Sequence, residues 1–289
     1  MSQRRAVGYL LIAIAACSWG VWPLILRAAE SIAHIPVALE SALVMAVVTI
    51  VSAPFCLRDR IARRARPVEW AGVAFLGVAD ALNVVFFFAA YQTTSVAIAV
   101  LTHYLTPILV AVAAPLVLRE TLRRRTIVAV AVSFAGLVLL LRPWSAERHA
   151  GDWLGAALGA GSALFYASNV LVNKRLTSAF SGSELVFFHG VVATPLLLAF
   201  ARPSTWGLVD LRALGVVAAG AAVSGALAGL FFVWGLRRVP ATHASNLTLL
   251  EPLVAVSSAA AFLGEPVGAW GIAGGALILA GAAVVVSSP

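Results

Sequence analysis

Charge is scarce in this chain. Of its 289 residues only 11% are Asp, Glu, Lys or Arg, under half of the roughly 25% usual in soluble domains. A water-facing surface cannot be built from so few charges, which excludes an ordinary soluble enzyme or binding domain. Lysine occurs once, as Lys174, so the basic residues are otherwise all arginine. Cys17 and Cys56 are the two cysteines; both lie in apolar runs with no CxxC and no neighbouring histidine. That excludes a disulfide framework and a thiolate metal site, and reads both as small core residues. HExxH, GxSxG, a paired-aspartate Mg²⁺ motif and a Walker A loop are all missing, which argues against intramembrane hydrolysis and ATP-driven work. No ring of like charges or carbonyl filter suggests a channel. The polar loops are too short for a scaffold's partner surface.

What is present is hydrophobicity, at 62% of the chain. A spanning helix needs about 20 apolar residues. Ten such segments can be placed, at 6–29, 37–57, 68–90, 95–118, 126–141, 153–172, 183–201, 212–234, 243–263 and 268–286. The expected fold is an all-α membrane protein with ten transmembrane helices. Arg4 and Arg5, followed by an apolar run to Cys17, resemble a lipoprotein cleavage signal. The run continues to Ala29 and is too long for a cleaved signal, so it is read as a retained span.

The net charge of +8 raises nucleic acid as a partner, but the placement of the charges points to a membrane orientation instead. Fifteen of the twenty basic residues fall on one side: Arg4, Arg5, Arg58, Arg60, Arg63, Arg64, Arg66, Arg119, Arg123 to Arg125, Lys174, Arg175, Arg237 and Arg238. Only Arg27, Arg142, Arg148, Arg202 and Arg212 fall on the other. Cytoplasmic loops carry such an excess, so both the N- and C-termini are expected in the cytoplasm. The location implied is the cytoplasmic (inner) membrane of a bacterium, in a multi-pass protein.

One stretch occurs twice. LTPILVAVAAPLVLRE at 105–120 and LEPLVAVSSAAAFLGE at 250–265 superimpose under a shift of 145 residues, matching Pro107 with Pro252 and Glu120 with Glu265. The same shift relates Glu40 of the second segment to Glu184 of the seventh, within a residue. The chain therefore divides into 6–141 and 151–286, two five-helix repeats in one membrane domain. An odd number of spans per repeat makes the second insert inverted. Proline removes a backbone donor and bends an apolar helix, so Pro107 and Pro252 are expected helix bends whose freed carbonyls face a cavity between the halves. Glycine pairs four apart, Gly155 with Gly159, Gly225 with Gly229 and Gly271 with Gly275, are expected to pack helix on helix.

With Trp19-Gly20, Thr106-Pro107, Glu120, Leu250-Glu251-Pro252 and Leu263-Gly264-Glu265 in this order, the chain resembles the ten-helix EamA branch of the drug/metabolite transporter (DMT) superfamily. The resemblance covers both repeats. It implies secondary transport of small organic molecules by alternating access and no catalytic activity. The first copy departs from the pattern by having Arg119 where the family has glycine before the closing glutamate.

Asp80, near the middle of the third segment, is costly at that depth and should face the bundle interior. Asn83 and Tyr91 continue its face. Glu251 lies near midplane beside Pro252, suited to a proton or a cationic substrate group. His103 and Tyr104 precede Thr106-Pro107, and histidine suits proton relay. Trp19 and Trp22 on one span and Tyr166, Asn169 and Asn173 on its repeat counterpart are expected to wall a cavity, with Trp234 on the eighth segment. The first, third, fourth, sixth, eighth and ninth segments should line it. Glu40, Glu184, Arg27, Glu30, His189 and His243 read as interfacial or local pairing groups, and Glu120 and Glu265 as structural. The expected function is a secondary transporter that exports amino acids or similar metabolites; the alternative is a multidrug exporter of lipophilic compounds. The expected partners are a small-molecule substrate, the lipid bilayer and, as candidate coupling ion, protons. No cofactor, metal or nucleic acid is expected, and the chain should act as a monomer or homodimer.

Overall fold

A computed structural model describes residues 3–59, 65–146, 150–201 and 209–287. Arg60, Arg63, Arg64, Arg148 and Arg202 lie outside the described residues. Among the described residues ten spans are long and apolar enough to cross a membrane: span 1 (Gln3–Glu30), span 2 (Val37–Arg58), span 3 (Pro67–Thr93), span 4 (Val96–Val117), span 5 (Arg124–Ser145), span 6 (Asp152–Leu176), span 7 (Gly182–Phe200), span 8 (Leu211–Leu236), span 9 (Ala241–Leu263) and span 10 (Ala269–Ser287). Helix is the only regular structure among the described residues, as a bilayer requires of a single chain with unpaired backbone groups to satisfy.

The packing has the symmetry of the repeat. Span 3 packs on span 6 and, five spans on, span 8 packs on span 1. Span 4 on 6 is matched by span 9 on 1, and span 3 on 7 by span 8 on 2. Spans 2 and 7 pair with each other, as do spans 5 and 10, and these pairs map onto themselves. Such a set of contacts arises when two five-helix halves are related by one pseudo-two-fold axis.

Small residues make the close approaches. A Cβ at Gly136 would lie 2.6 Å from the Gly274 carbonyl oxygen, and one at Gly274 would lie 2.5 Å from that of Gly136, so spans 5 and 10 meet backbone to backbone. Gly155 and Gly159 seat against Thr94 and Thr102 as expected. Gly275 seats against Leu253 of span 9, where a Cβ would lie 2.8 Å away, while the contact with span 5 is made by Gly274 and by Gly281 against Ser133. Gly229 has open space before it, because it faces a cavity.

Five spans are irregular; in span 5 a left-handed Arg142 (φ 46°) separates the helix Arg124–Leu141 from a short turn of 3-10 helix at Pro143–Ser145. Span 4 breaks between Val96–His103 and Thr106–Val117, and span 9 between Ala241–Leu247 and Leu250–Leu263, each just before its proline. The carbonyls freed by the prolines find local donors. Pro107 lacks the donor for His103 O, which accepts from Thr106 Oγ1 at 2.8 Å instead. Thr248 O, left by Pro252, accepts from the Glu251 amide at 2.9 Å. Span 1 also breaks, between Gln3–Gly20 and Trp22–Glu30 with Pro23 in the new first turn, while its counterpart span 6 is unbroken. Span 8 carries a π-helical segment, Ala221–Leu227.

The helix-ending turn of the repeat forms in both copies. Gly264 has φ 69°, and Arg119, its counterpart, adopts the same left-handed conformation at φ 57°. An L side chain resists that conformation by roughly 1–2 kcal/mol, and here the arginine accepts it.

Candidate functional site

The breaks and the π segment converge at the level of one cavity of about 310 Å³ between the two halves. Trp19 and Trp22 reach it from either side of the span 1 break, and Trp19 tilts against Phe232 of span 8 at 5.3 Å. Asp80 and Asn83 enter from span 3, His103 from the end of the first part of span 4, Tyr166, Asn169 and Asn173 from span 6, and Glu251 from span 9. Spans 2 and 7 also line it, through Val44, Met45, Val48, Val186 and His189. Their presence corrects the six-span lining expected from the sequence, and follows from their pairing across the axis.

Gly20 explains how span 9 delivers its carboxyl. A Cβ there would meet Glu251 O at 2.6 Å and Val254 at 2.6 Å, so spans 1 and 9 touch backbone to backbone at the cavity wall. Tyr104 sits behind, buried, with its ring edge-on to His103 at 5.3 Å.

His103 is held from every side. Its ring stacks on Tyr166 at 5.5 Å and 7°, and lies 4.4 Å from Phe87. Its Nδ1 is 2.8 Å from Ser162 Oγ, and Ser162 donates its single proton to Asn83 Oδ1 at 2.7 Å. Nδ1–H is therefore the donor to Ser162, and His103 links spans 3, 4 and 6 rather than projecting freely.

Asp80 is paired with a residue that sequence reasoning placed at the interface. His189 Nε2 lies 3.6 Å from Asp80 Oδ2, with only 14% and 16% of the two side chains exposed. His189 Nδ1 faces the Leu185 carbonyl at 3.1 Å and must donate to it. A neutral ring would then aim a lone pair at a carboxylate, so the contact is favourable only when the pair holds one extra proton. Asp80 Oδ2 is otherwise without a hydrogen-bond partner. The pair is 109 residues apart in sequence and joins the two halves, so no local pattern marks it.

Three expected site residues stand away from the cavity. Trp234 packs on Phe55, Phe231 and Gly182; two residues beyond Phe232, it is turned about 200° around the helix. Tyr91 shares the Asp80 face but lies about 16 Å further along span 3, edge-on to Phe87 at 4.8 Å. Tyr104 is buried behind the wall and does not line the space. Pro107 and Pro252 are buried and shape the spans without lining the space.

The arginine-rich end of the bundle is closed. Residues 179–186 and 241–249 are buried throughout, whereas their repeat counterparts, 34–41 and 96–104, are largely half-buried or exposed. Three ties hold that end. Glu120 accepts from the Ala241 amide with both oxygens, at 3.1 and 2.9 Å, capping span 9. Lys174 donates to Leu236 O and Val239 O at 2.7 and 2.6 Å. His243 lies between the Tyr9 hydroxyl at 2.7 Å and Thr126 Oγ1 at 3.3 Å. At the opposite end Glu265 meets exposed Arg27 at 2.9 Å instead of capping span 4. Glu184 is buried as a helix cap on the Ser181 amide at 2.7 Å, and Glu30 pairs locally with His34.

The model of the EamA-like transporter family matches residues 6–142 and again 153–287. The chain belongs to the EamA-like transporter family. Members of this DMT family are membrane transporters and not enzymes. An uncharacterized transporter of Archaeoglobus fulgidus is 30% identical over 79% of this chain and 78% of its own length. A riboflavin transporter of Vibrio cholerae is 31% identical over 42% of this chain and 39% of its own. In three dimensions a crystal structure at 20% identity covers 99% of both chains with a TM-score of 0.82, which establishes the shared fold. No cluster of metal-binding side chains occurs among the described residues.

Proposed function

We propose that this EamA-family transporter is a secondary carrier that exports a small metabolite of about amino-acid size across the cytoplasmic membrane by alternating access, with a proton as the coupling ion. The observation that carries the reading is a cavity walled by both halves while one end of the bundle is tied shut. A carrier needs one site and two gates.

The volume of about 310 Å³ is at the lower end of ligand cavities, roughly 300–1,000 Å³, and supports a small metabolite. Trp19, Trp22, Tyr166 and Phe232 offer ring faces, and Asn83, Asn169 and Asn173 offer amides. An amphipathic substrate with a planar or aromatic part suits both. The same ring faces favour the second reading, export of lipophilic compounds. One relative is named a riboflavin transporter.

For coupling, the Asp80–His189 pair holds a transferable proton, and Glu251 supplies a second buried carboxyl. For the second gate, buried polar atoms at the closed end lack partners: Asn173 Oδ1, Ser245 Oγ and both ends of the Asn246 amide. Each costs about 1–3 kcal/mol while dry. Water entering an inward-open vestibule would satisfy them, so they mark the path on that side.

Proteoliposomes given a labelled panel of amino acids, sugars and lipophilic amines, with and without an imposed pH gradient, test the proposal. One class should move saturably and accumulate with the gradient, and Asp80→Asn and Glu251→Gln should each abolish the accumulation. Gradient-driven transport at the normal rate in both variants would remove those roles, and flux that never saturates for any class would remove the carrier.

A further inference from the structure

A second cavity, of about 470 Å³, opens at the arginine-rich end between the ends of spans 4 and 6. Its two flanks differ in chemistry. On one, Leu116 is 83% exposed and Val117 39% exposed, apolar side chains left uncovered in the last turn of a spanning helix. On the other stand three cations, Arg119, Lys174 and Arg175, against one carboxylate. That carboxylate, Glu120, is occupied with both oxygens by the Ala241 amide. Lys174 gives two protons to carbonyls and has a third left over. The side chains of Arg119 and Arg175 are exposed and make no hydrogen bond or ion pair among the described residues.

Arg119 adds an independent observation. It holds the left-handed conformation that glycine supplies in the other repeat, so the turn itself gains nothing from a side chain there. A strained residue is a pointer to a role for its side chain, and this one carries a guanidinium into a basic pocket. We infer that this pocket binds the phosphate of an anionic phospholipid headgroup. Guanidinium groups of Arg119 and Arg175 grip its oxygens, the spare Lys174 proton completes the site, and the acyl chains lie along Leu116 and Val117. The uncovered apolar flank is what selects a lipid over a soluble phosphate. Because Lys174 also ties spans 6 and 8, a bound headgroup would reinforce the closed end.

The test is lipid retention by the full chain in native mass spectrometry, with phosphatidylglycerol against phosphatidylcholine and with inorganic phosphate as competitor. Phosphatidylglycerol should be retained preferentially. Arg119→Gly and Arg175→Gln should each weaken that retention about fivefold, the effect of one interfacial cation. Arg119→Gly should melt no lower than the parent, since glycine relaxes the turn, so lost binding there cannot be ascribed to misfolding. Equal retention of the two lipids, or undiminished phosphatidylglycerol in the double variant, would overturn the site. Binding of millimolar inorganic phosphate with no lipid preference would overturn the lipid as its occupant.

Discussion

Lys174 is the place where the closed end can be loosened with one substitution. Its ammonium, half-buried between spans 6 and 8, makes two charge-assisted bonds to Leu236 O and Val239 O at 2.7 and 2.6 Å. Bonds to a charged group contribute about 1.5–3 kcal/mol each. Opening the end hydrates the ammonium and carbonyls alike, so we assign about 2–3 kcal/mol to the pair together. Lys174→Met keeps the length of the side chain and removes both bonds. The equilibrium should move toward the state open at the arginine-rich end by roughly 30- to 150-fold. Ser245, fully buried with an unpartnered hydroxyl, reports that opening when replaced by cysteine in a Cys17→Ser, Cys56→Ser background. Its modification by a membrane-impermeant maleimide should accelerate at least about 30-fold in the Met variant. A second probe, Leu137→Cys in the core beside span 10, should stay unreactive in both, which separates gating from unfolding. Equal Ser245→Cys rates with Lys and with Met at 174 would refute the tie.

Three further outcomes follow from the same geometry. Glu120→Ala uncaps span 9 and leaves the Ala241 amide without its acceptor, so thermal stability should fall by about 1–2 kcal/mol, read from the melting transition in detergent. Gly20→Val forces spans 1 and 9 apart at Glu251; overpacking of about 1–3 kcal/mol should cut substrate affinity while leaving a folded, correctly sized monodisperse protein in gel filtration. His189→Gln removes the partner of Asp80 and the shared proton, and should flatten the dependence of transport on an imposed pH gradient while exchange of substrate for substrate persists; an unchanged gradient response would assign the coupling elsewhere.

The fold was readable because a bilayer leaves few alternatives. Apolar length sets the ten spans to within a few residues, and the repeat at Pro107 and Pro252 places the two matched breaks. Trp19, Trp22, Asp80, Asn83, His103, Tyr166, Asn169 and Glu251 were legible as inward-facing because polar or aromatic groups at helical spacing have nowhere else to go in lipid. What was not legible depends on the other half. His189 looks interfacial until span 7 is packed on span 3, and Trp234 looks inward until span 8 is turned by its contact with spans 2 and 7. Span 8's π segment arises in a run of small residues, Ala221–Leu227, with no local signal for the extra residue per turn. The left-handed Arg119 contradicts its own propensity and is visible only in the backbone.

The central claim, one cavity served alternately by two gates, is tested most directly by counterflow. Vesicles preloaded with unlabelled substrate and exposed to a trace of the same compound in labelled form should draw it in above its outside concentration, transiently and without any ion gradient, because a loaded carrier reorients with its cargo. Labelled compound that merely equilibrates, at a rate unaffected by what the vesicles contain, would contradict alternating access and leave a pore.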